Sequence, residues 1–357
     1  MKKIRVAIAG ASGYAGAELV RLAALHPYFE LHAVTSEKSA GTPVATAFPS
    51  LTGLVSLSFQ ALSPEALADQ VDAVFLALPH TKSLAPVSAC LKTNKFVVDL
   101  SADYRLKDPF VYEQWYKTPH TYANLLKDAI YGLPELHRDA IAKAKLVASP
   151  GCYPTAAILQ LAPLFAHDLV QANTVVIDAK SGISGAGRSP ALPYHFPEAH
   201  ESIEPYKIGQ HRHIPEIEQE LGCLLQRASK PGGTVATQPI VTFTPHLVPM
   251  NRGILSTAYC KLKSPMALAD LRMLYRTFYK GERFVRVQED IMPNPRYIKG
   301  SNYCDIGVYL DPRSGSVITV AALDNLVKGA AGQAIQAMNL MLGFPEETGL
   351  TAPAAYP

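Results

Sequence analysis

The chain has 357 residues, and at about 150 residues per domain that length suits two domains. Its 33 basic and 30 acidic residues leave a net charge of +3, and the charged fraction of 18% lies below the roughly 25% of soluble chains, which excludes a disordered tail protein and a dedicated nucleic-acid binder. With 48% hydrophobic residues there is material for two buried cores, yet no window reaches the length of a membrane span, so neither nucleic acid nor membrane is an expected partner.

The opening Met1 to Gly10 has a basic start, but its apolar run ends at Gly10, too short for a signal peptide, and a cytoplasmic protein is expected. Val6 to Ala9 reads as a buried strand, Ala17 to Leu25 as a helix with Leu19, Leu22 and Leu25 in register, and Leu31 to Thr35 as a second strand. Asp72 to Leu78, Phe96 to Leu100 and Lys145 to Ala148 continue the pattern. Continuous apolar strands separated by helices predict a doubly wound α/β domain, a Rossmann-type parallel sheet covered on both faces. After Gly151 the strand-like runs (Thr174 to Lys180, Ile240 to Phe243, Gly253 to Leu262, Val317 to Ala322) alternate more and stand between Gly/Pro-rich loops. They predict a second α+β domain with a mixed sheet, one face open to solvent or a partner subunit. Leu326 to Leu342 reads as a closely packed helix, and the tail after Gly343 as frayed.

Gly10-Ala11-Ser12-Gly13-Tyr14-Ala15-Gly16 follows the first strand and opens the first helix. Glycines there let the backbone turn tightly and approach a pyrophosphate, whose charge meets the helix N-terminus. The spacing G-x-x-G-x-x-G is weak alone, a structural turn being the bland reading, and its place between strand and helix strengthens it. Gly10, Ser12, Gly13, Tyr14, Ala15 and Gly16 are therefore the expected dinucleotide loop. The second strand ends in Thr35-Ser36-Glu37-Lys38, where an NAD-specific site would place a carboxylate against the ribose. Ser36 and Lys38 suit a 2′-phosphate, so NADPH/NADP is the expected cofactor, with Glu37 as the residue that could reverse this.

Cysteines occur at 90, 152, 223, 260 and 304, an odd number with no Cys-x-x-Cys pair, which fits neither a disulfide framework nor a metal site. Cys152, in Ser149-Pro150-Gly151-Cys152-Tyr153-Pro154-Thr155, lies between a strand end and a helix start. The partial positive charge of a helix N-terminus stabilises the thiolate, so Cys152 reads as a nucleophile and the other four as small buried hydrophobes. A nucleotide fold followed by such a cysteine suggests a covalent adduct that exchanges hydride with a nicotinamide. His211-Arg212-His213, just before a Pro-started helix, reads as an anion-binding and acid–base cluster, and Lys180 to Arg188 as a loop whose glycines, hydroxyls and arginine could nest an anion.

These pieces resemble the N-acetyl-γ-glutamyl-phosphate reductase family, in the group containing aspartate-semialdehyde dehydrogenases. The resemblance covers nearly the whole chain. It rests on Gly10 to Leu19, Asp99 to Arg105, Pro150 to Thr155, Ser181 to Arg188, His211 to Ile217, Phe243 to Leu247 and Asp324 to Ala330. Gln160, where the family has a small residue, is a departure that concerns packing. The resemblance implies reduction of N-acetyl-L-glutamyl 5-phosphate, an acyl phosphate, by NADPH through a Cys152 thioester, with His211 as general acid–base group and His213 assisting. It makes Arg105, Arg188, Arg212 and His213 candidate substrate-binding residues, and brings Asn325 to the nicotinamide. It also implies a nucleotide domain of residues 1–151 and 325–357, a catalytic and oligomerisation domain of 152–324, and a homo-oligomer, dimer or tetramer. A homologue acting on a substrate one methylene longer, a silent NADP-binding regulator and a cysteine hydrolase remain as alternatives.

Overall fold

The computed structural model describes residues 3–228 and 238–356. The chain forms two compact units, one of Met1–Gly151 with Ala330–Ala352, the other of Cys152–Gly329 with Pro353–Pro357.

The first unit carries a six-stranded sheet of β1 (Ile4–Ala9), β2 (Phe29–Thr35), β3 (Ala73–Leu76), β4 (Phe96–Asp99), β5 (Ala129–Tyr131) and β6 (Leu146–Ala148). Its order is β2-β1-β3-β4-β6-β5, with every pairing parallel. β3 is buried along its whole length, as a strand covered on both faces must be, which explains its unbroken apolar run. The strand order reverses at β1, between β2 and β3, the topological switch point where open α/β sheets bind their ligands. The glycine loop stands at that point.

Helix Gly332–Met341 returns to this unit and packs against β4, the first helix and helix Pro134–Ile141. The return differs from the sequence expectation at both ends. The crossing comes at Ala330, because Asn325 is tied into the second unit by Gly253 and Ser184. The tail is not frayed after Gly343: Phe344 stacks on Tyr28 with centroids 4.7 Å apart, Asn339 Nδ2 donates to the Glu346 and Thr348 carbonyls, and Leu350 is buried. Composition alone hides this, since a few apolar anchors hold a polar segment.

The second unit holds β7 (Val175–Gly182), β8 (Glu204–Pro205), β9 (Val241–Val248), β10 (Ile254–Lys261), β11 (Val285–Gln288), β12 (Cys304–Asp311) and β13 (Ser316–Leu323) in the order β11-β12-β13-β10-β7-β9-β8. The sheet is mixed: β7 with β9 and β11 with β12 are parallel, the remaining pairs antiparallel. Helices Cys152–Ala166, Ile214–Ala228 and Leu268–Phe278 cover one face. The other face is open, and Val176 and Tyr259 stand out from it, which accounts for the alternating burial along β7 and β10. Helix Cys152–Ala166 is the central one, buried from Tyr153 to Phe165.

Candidate active site

In the first unit, Gly10 has φ of +78°, and a Cβ there would meet the Ala77 carbonyl oxygen at 2.4 Å. At Gly16 a Cβ would lie 2.4 Å from Gly10 O and 2.6 Å from Ala11 Cα. Both glycines are required by close backbone packing. Gly13 is different: its Cβ would face only Gly10 O, at 3.9 Å, so this glycine keeps open the space before the helix. Gly13 is also the N-cap of helix Tyr14–Leu25, with no side-chain cap and no acidic residue in the first turn. A helix start left uncapped by its own side chains is suited to an anion. The Ser36 hydroxyl, at the end of β2, donates to Ser12 Oγ at 2.8 Å, and Lys38 is exposed two residues on.

The Asp99 to Arg105 segment is a buried polar network. Ser101 donates from N–H and hydroxyl to Asp99, while Asp103 accepts from the N–H groups of Thr81 and Ser83 and from the Tyr112 hydroxyl. Burial, then the nearby Asp103 charge, push the Asp99 carboxyl up to about 6. Arg105, also buried, donates from Nε to the Ser149 carbonyl and from Nη2 to the Leu100 carbonyl. It thereby pins the segment that leads into Cys152.

In the second unit, Cys152 opens helix Cys152–Ala166 and is half-buried. Tyr153 carries the geometry around it. Its ring meets those of His211, His213 and Phe243 edge-on, with centroids 5.7, 6.0 and 5.4 Å away. Its hydroxyl donates to the His246 carbonyl at 3.2 Å and accepts from Tyr206, whose ring lies 5.5 Å from His211. His211 and His213 thus pack on the ring of Tyr153, the residue that follows Cys152. Burial first, then the cations Lys207 and Arg212, push His211 down to about 3.

Asn325 accepts from Gly253 N–H at 2.7 Å and donates to Ser184 Oγ at 2.9 Å, so it braces the 182–187 loop. That loop is a 3₁₀ turn, Ile183–Ala186, followed by Gly187 at φ of +91° and an exposed Arg188. Arg212 is half-buried beside His211. Gln160 is fully buried, donating to Ser256 Oγ, while its carbonyl accepts from the Tyr275 hydroxyl, so its side chain serves packing. Among the described residues no group of three His, Cys, Asp or Glu could hold a metal ion, and no helix is long and apolar enough to cross a membrane.

Residues 5–144 match the family described as semialdehyde dehydrogenase, NAD binding domain, and residues 152–325 the semialdehyde dehydrogenase, dimerisation domain. N-acetyl-gamma-glutamyl-phosphate reductase of Geotalea daltonii is 51% identical over 356 residues, covering 99% of this chain and 100% of that protein. The chain belongs to the N-acetyl-gamma-glutamyl-phosphate reductase family. The reductase of Citrifermentans bemidjiense is 49% identical over 357 residues, with 99% and 100% covered. Fold likeness extends to aspartate semialdehyde dehydrogenase II of Vibrio cholerae, at TM-score 0.70, 16% identity, 96% of this chain and 99% of that one. The Candida albicans aspartate semialdehyde dehydrogenase, solved with NADP, gives TM-score 0.69 at 18% identity, with 96% and 99% covered.

Within this reductase family the dimerisation match begins at Cys152 itself, the first residue of the central helix. Sequence reasoning missed Tyr206 and gave no role to Tyr153 or Gly329. A Cβ on Gly329 would lie 2.9 Å from Cys152 Cβ, so this glycine gives the cysteine its room. A tyrosine five positions before a His-rich segment was the available signal for Tyr206.

Proposed function

We propose that this chain reduces N-acetyl-L-glutamyl 5-phosphate to N-acetyl-L-glutamate 5-semialdehyde with NADPH, releasing phosphate. The observation that carries this is Cys152, half-buried at a helix N-terminus and followed by Tyr153, whose ring packs edge-on against His211, in a chain aligned end to end with reductases of that name. The helix terminus stabilises the thiolate. Sγ attacks the acyl carbon, the carbon–sulfur bond forms, the bond to phosphate breaks, and a thioester remains on Cys152. NADPH, held at the Gly10–Gly16 loop, would supply the hydride that reduces the thioester carbon. The resulting thiohemiacetal collapses, the carbon–sulfur bond breaks, and Cys152 releases the aldehyde.

The cofactor fits the first unit. Gly10 and Gly16 build the turn, Gly13 leaves the approach to the helix start open for the pyrophosphate, and Ser36, Ser12 and Lys38 offer two hydroxyls and an ammonium to a 2′-phosphate. Asn325 braces the 182–187 loop through Gly253 and Ser184. Arg188, Arg212 and His213 hold the substrate's anionic groups, while Arg105 in the first unit fixes the Ser149 carbonyl. The open face of the seven-stranded sheet, with Val176 and Tyr259 exposed, suits a second copy in a homo-oligomer. Five cysteines without a disulfide suit a reducing, cytoplasmic setting.

The test is NADPH formation from the semialdehyde, NADP⁺ and phosphate, followed by absorbance. Wild type turns over, and Cys152→Ala loses at least about 10³-fold in kcat while NADPH affinity stays within about twofold. An active Cys152→Ala variant would remove the covalent route. A kcat/KM favouring the semialdehyde one methylene longer would overturn the substrate choice, since a methylene discriminates by about 10–200-fold.

A further inference from the structure

We propose that Asp324 is a positioning residue for Cys152: its buried carboxylate anchors the π turn Val327–Ala331, and that turn seats Gly329 against the cysteine. This deepens the reduction proposed above and rests on it.

Every link lies in the second unit. A Cβ added to the buried Gly329 would stand 2.9 Å from Cys152 Cβ, so the Gly329 backbone forms one wall of the cysteine's space. The Gly329 N–H donates to the Asp324 carbonyl at 2.9 Å, which closes the turn. The start of a helical turn leaves N–H groups that need an acceptor, and the fully buried Asp324 side chain supplies one. Its Oδ1 accepts from Leu326 N–H at 2.8 Å and from Val327 N–H at 3.2 Å. A cap alone needs no more than this. Oδ2 also accepts from Gly300 N–H at 2.7 Å, and Arg252 Nη1 stands 3.5 Å from it. The carboxylate therefore ties the turn to a loop 24 residues earlier in the chain. Asn325, the next residue, ties the same point to Gly253 and Ser184. With its start held in this way, any displacement at Asp324 passes to Gly329 through one hydrogen bond.

The chemistry of the group matters. The groups around both carboxylate oxygens are donors, and a carboxylate, which only accepts, meets them all. Its buried charge is offset by Arg252 and by the N–H end of the turn. An asparagine keeps an oxygen for Leu326 and Val327 but turns an N–H toward Gly300 N–H and Arg252. Asp324 thus acts through Gly329 on the placement of Sγ, and its effect falls on kcat rather than on substrate binding.

The test reads Cys152 with and without turnover, each variant being held well below its own thermal melt. Asp324→Ala should lose about 100-fold in kcat and Asp324→Asn about tenfold, with KM for the semialdehyde within about threefold of wild type. Iodoacetamide alkylation across pH, followed on the Cys152 peptide by mass, should show a thiolate midpoint raised by at least about half a pH unit in Asp324→Ala, as the cysteine moves from its place at the helix start. In the cycle with Gly329→Ala, Asp324→Asn should add less than about threefold to the loss, because both changes act on one contact. A lower melt with wild-type kcat and alkylation overturns the proposal, since Asp324 then supports the fold alone. A fall in kcat with an unchanged alkylation profile, or losses that multiply in the cycle, overturns it as well. Because alkylation needs no turnover, a wild type inactive toward the semialdehyde refutes the proposed reaction, and the alkylation profiles then decide the role of Asp324 separately.

Discussion

Gly329 lies in a π turn, Val327–Ala331, of the kind that often marks functional positions. Its added Cβ would stand 2.9 Å from Cys152 Cβ, and 3.2 Å from both the Asp324 carbonyl oxygen and Leu323 Cδ1. Two of those neighbours are main-chain or Cβ atoms that cannot swing away, so Gly329→Ala must shift the cysteine. The expected result is a fall of about 10–100-fold in kcat, because misplacement by an ångström costs about that much, with a stability loss of about 1–3 kcal/mol from overpacking. Steady-state rates beside a thermal melt check it; wild-type kcat in Gly329→Ala would show that the cysteine does not need this room. Cys152 was legible in the sequence because its signal is contiguous, a cysteine between a strand end and a helix start. Gly329 and Tyr206 were not, because their roles come from contacts with residues 177 and 53 positions away, Cys152 and Tyr153.

At the scale of elements, the glycine loop separates two jobs that sequence spacing treats alike. Gly16 is pressed against backbone at 2.4 and 2.6 Å, while Gly13 faces open space. Gly16→Ala should therefore destabilise the protein by about 1–3 kcal/mol. Gly13→Ala should melt as wild type yet raise the NADPH dissociation constant at least about tenfold, since its methyl occupies the approach of the pyrophosphate. Calorimetric titration beside thermal melts decides it, and a Gly13→Ala variant that binds NADPH normally would place the pyrophosphate elsewhere. The parallel strands β1 to β4 were readable because burial on both faces leaves apolar runs. β12 was not: Asp305, nearly fully buried, is satisfied by Arg286, and Gly307 interrupts its run, so neither periodicity nor composition marks it. The three-residue β5 and the two-residue β8 are too short for any pattern.

Across the whole molecule, pH acts through groups whose buried state differs from their state in the unfolded chain. His26 is held on both ring nitrogens: the Tyr28 N–H donates to Nδ1, its Nε2–H donates to Asn339 Oδ1 at 3.0 Å, and the ring stacks on Phe29. Burial pushes His26 down to about 4 and lowers His120 as well, while His211 falls to about 3. His26 and His211 are neutral in the folded chain and bind a proton once unfolded below about 6.5, so both contribute stability that is present above that pH and lost as pH falls toward the folded value, and the lowered His120 acts in the same direction. Asp99, raised to about 6 by burial and Asp103, works the other way, and Glu218, raised by burial, joins it. Three imidazoles against two carboxyls leave a net loss of stability on acidification, with each proton worth about 1.4 kcal/mol per pH unit. Urea midpoints should therefore be lower at pH 5 than at pH 7. His26→Gln should flatten this dependence and Asp99→Asn should steepen it, read as slopes so that the variants' own stability offsets drop out. A wild-type midpoint that rises toward pH 5, or a slope untouched by His26→Gln, would show that these imidazoles are not held neutral by the fold.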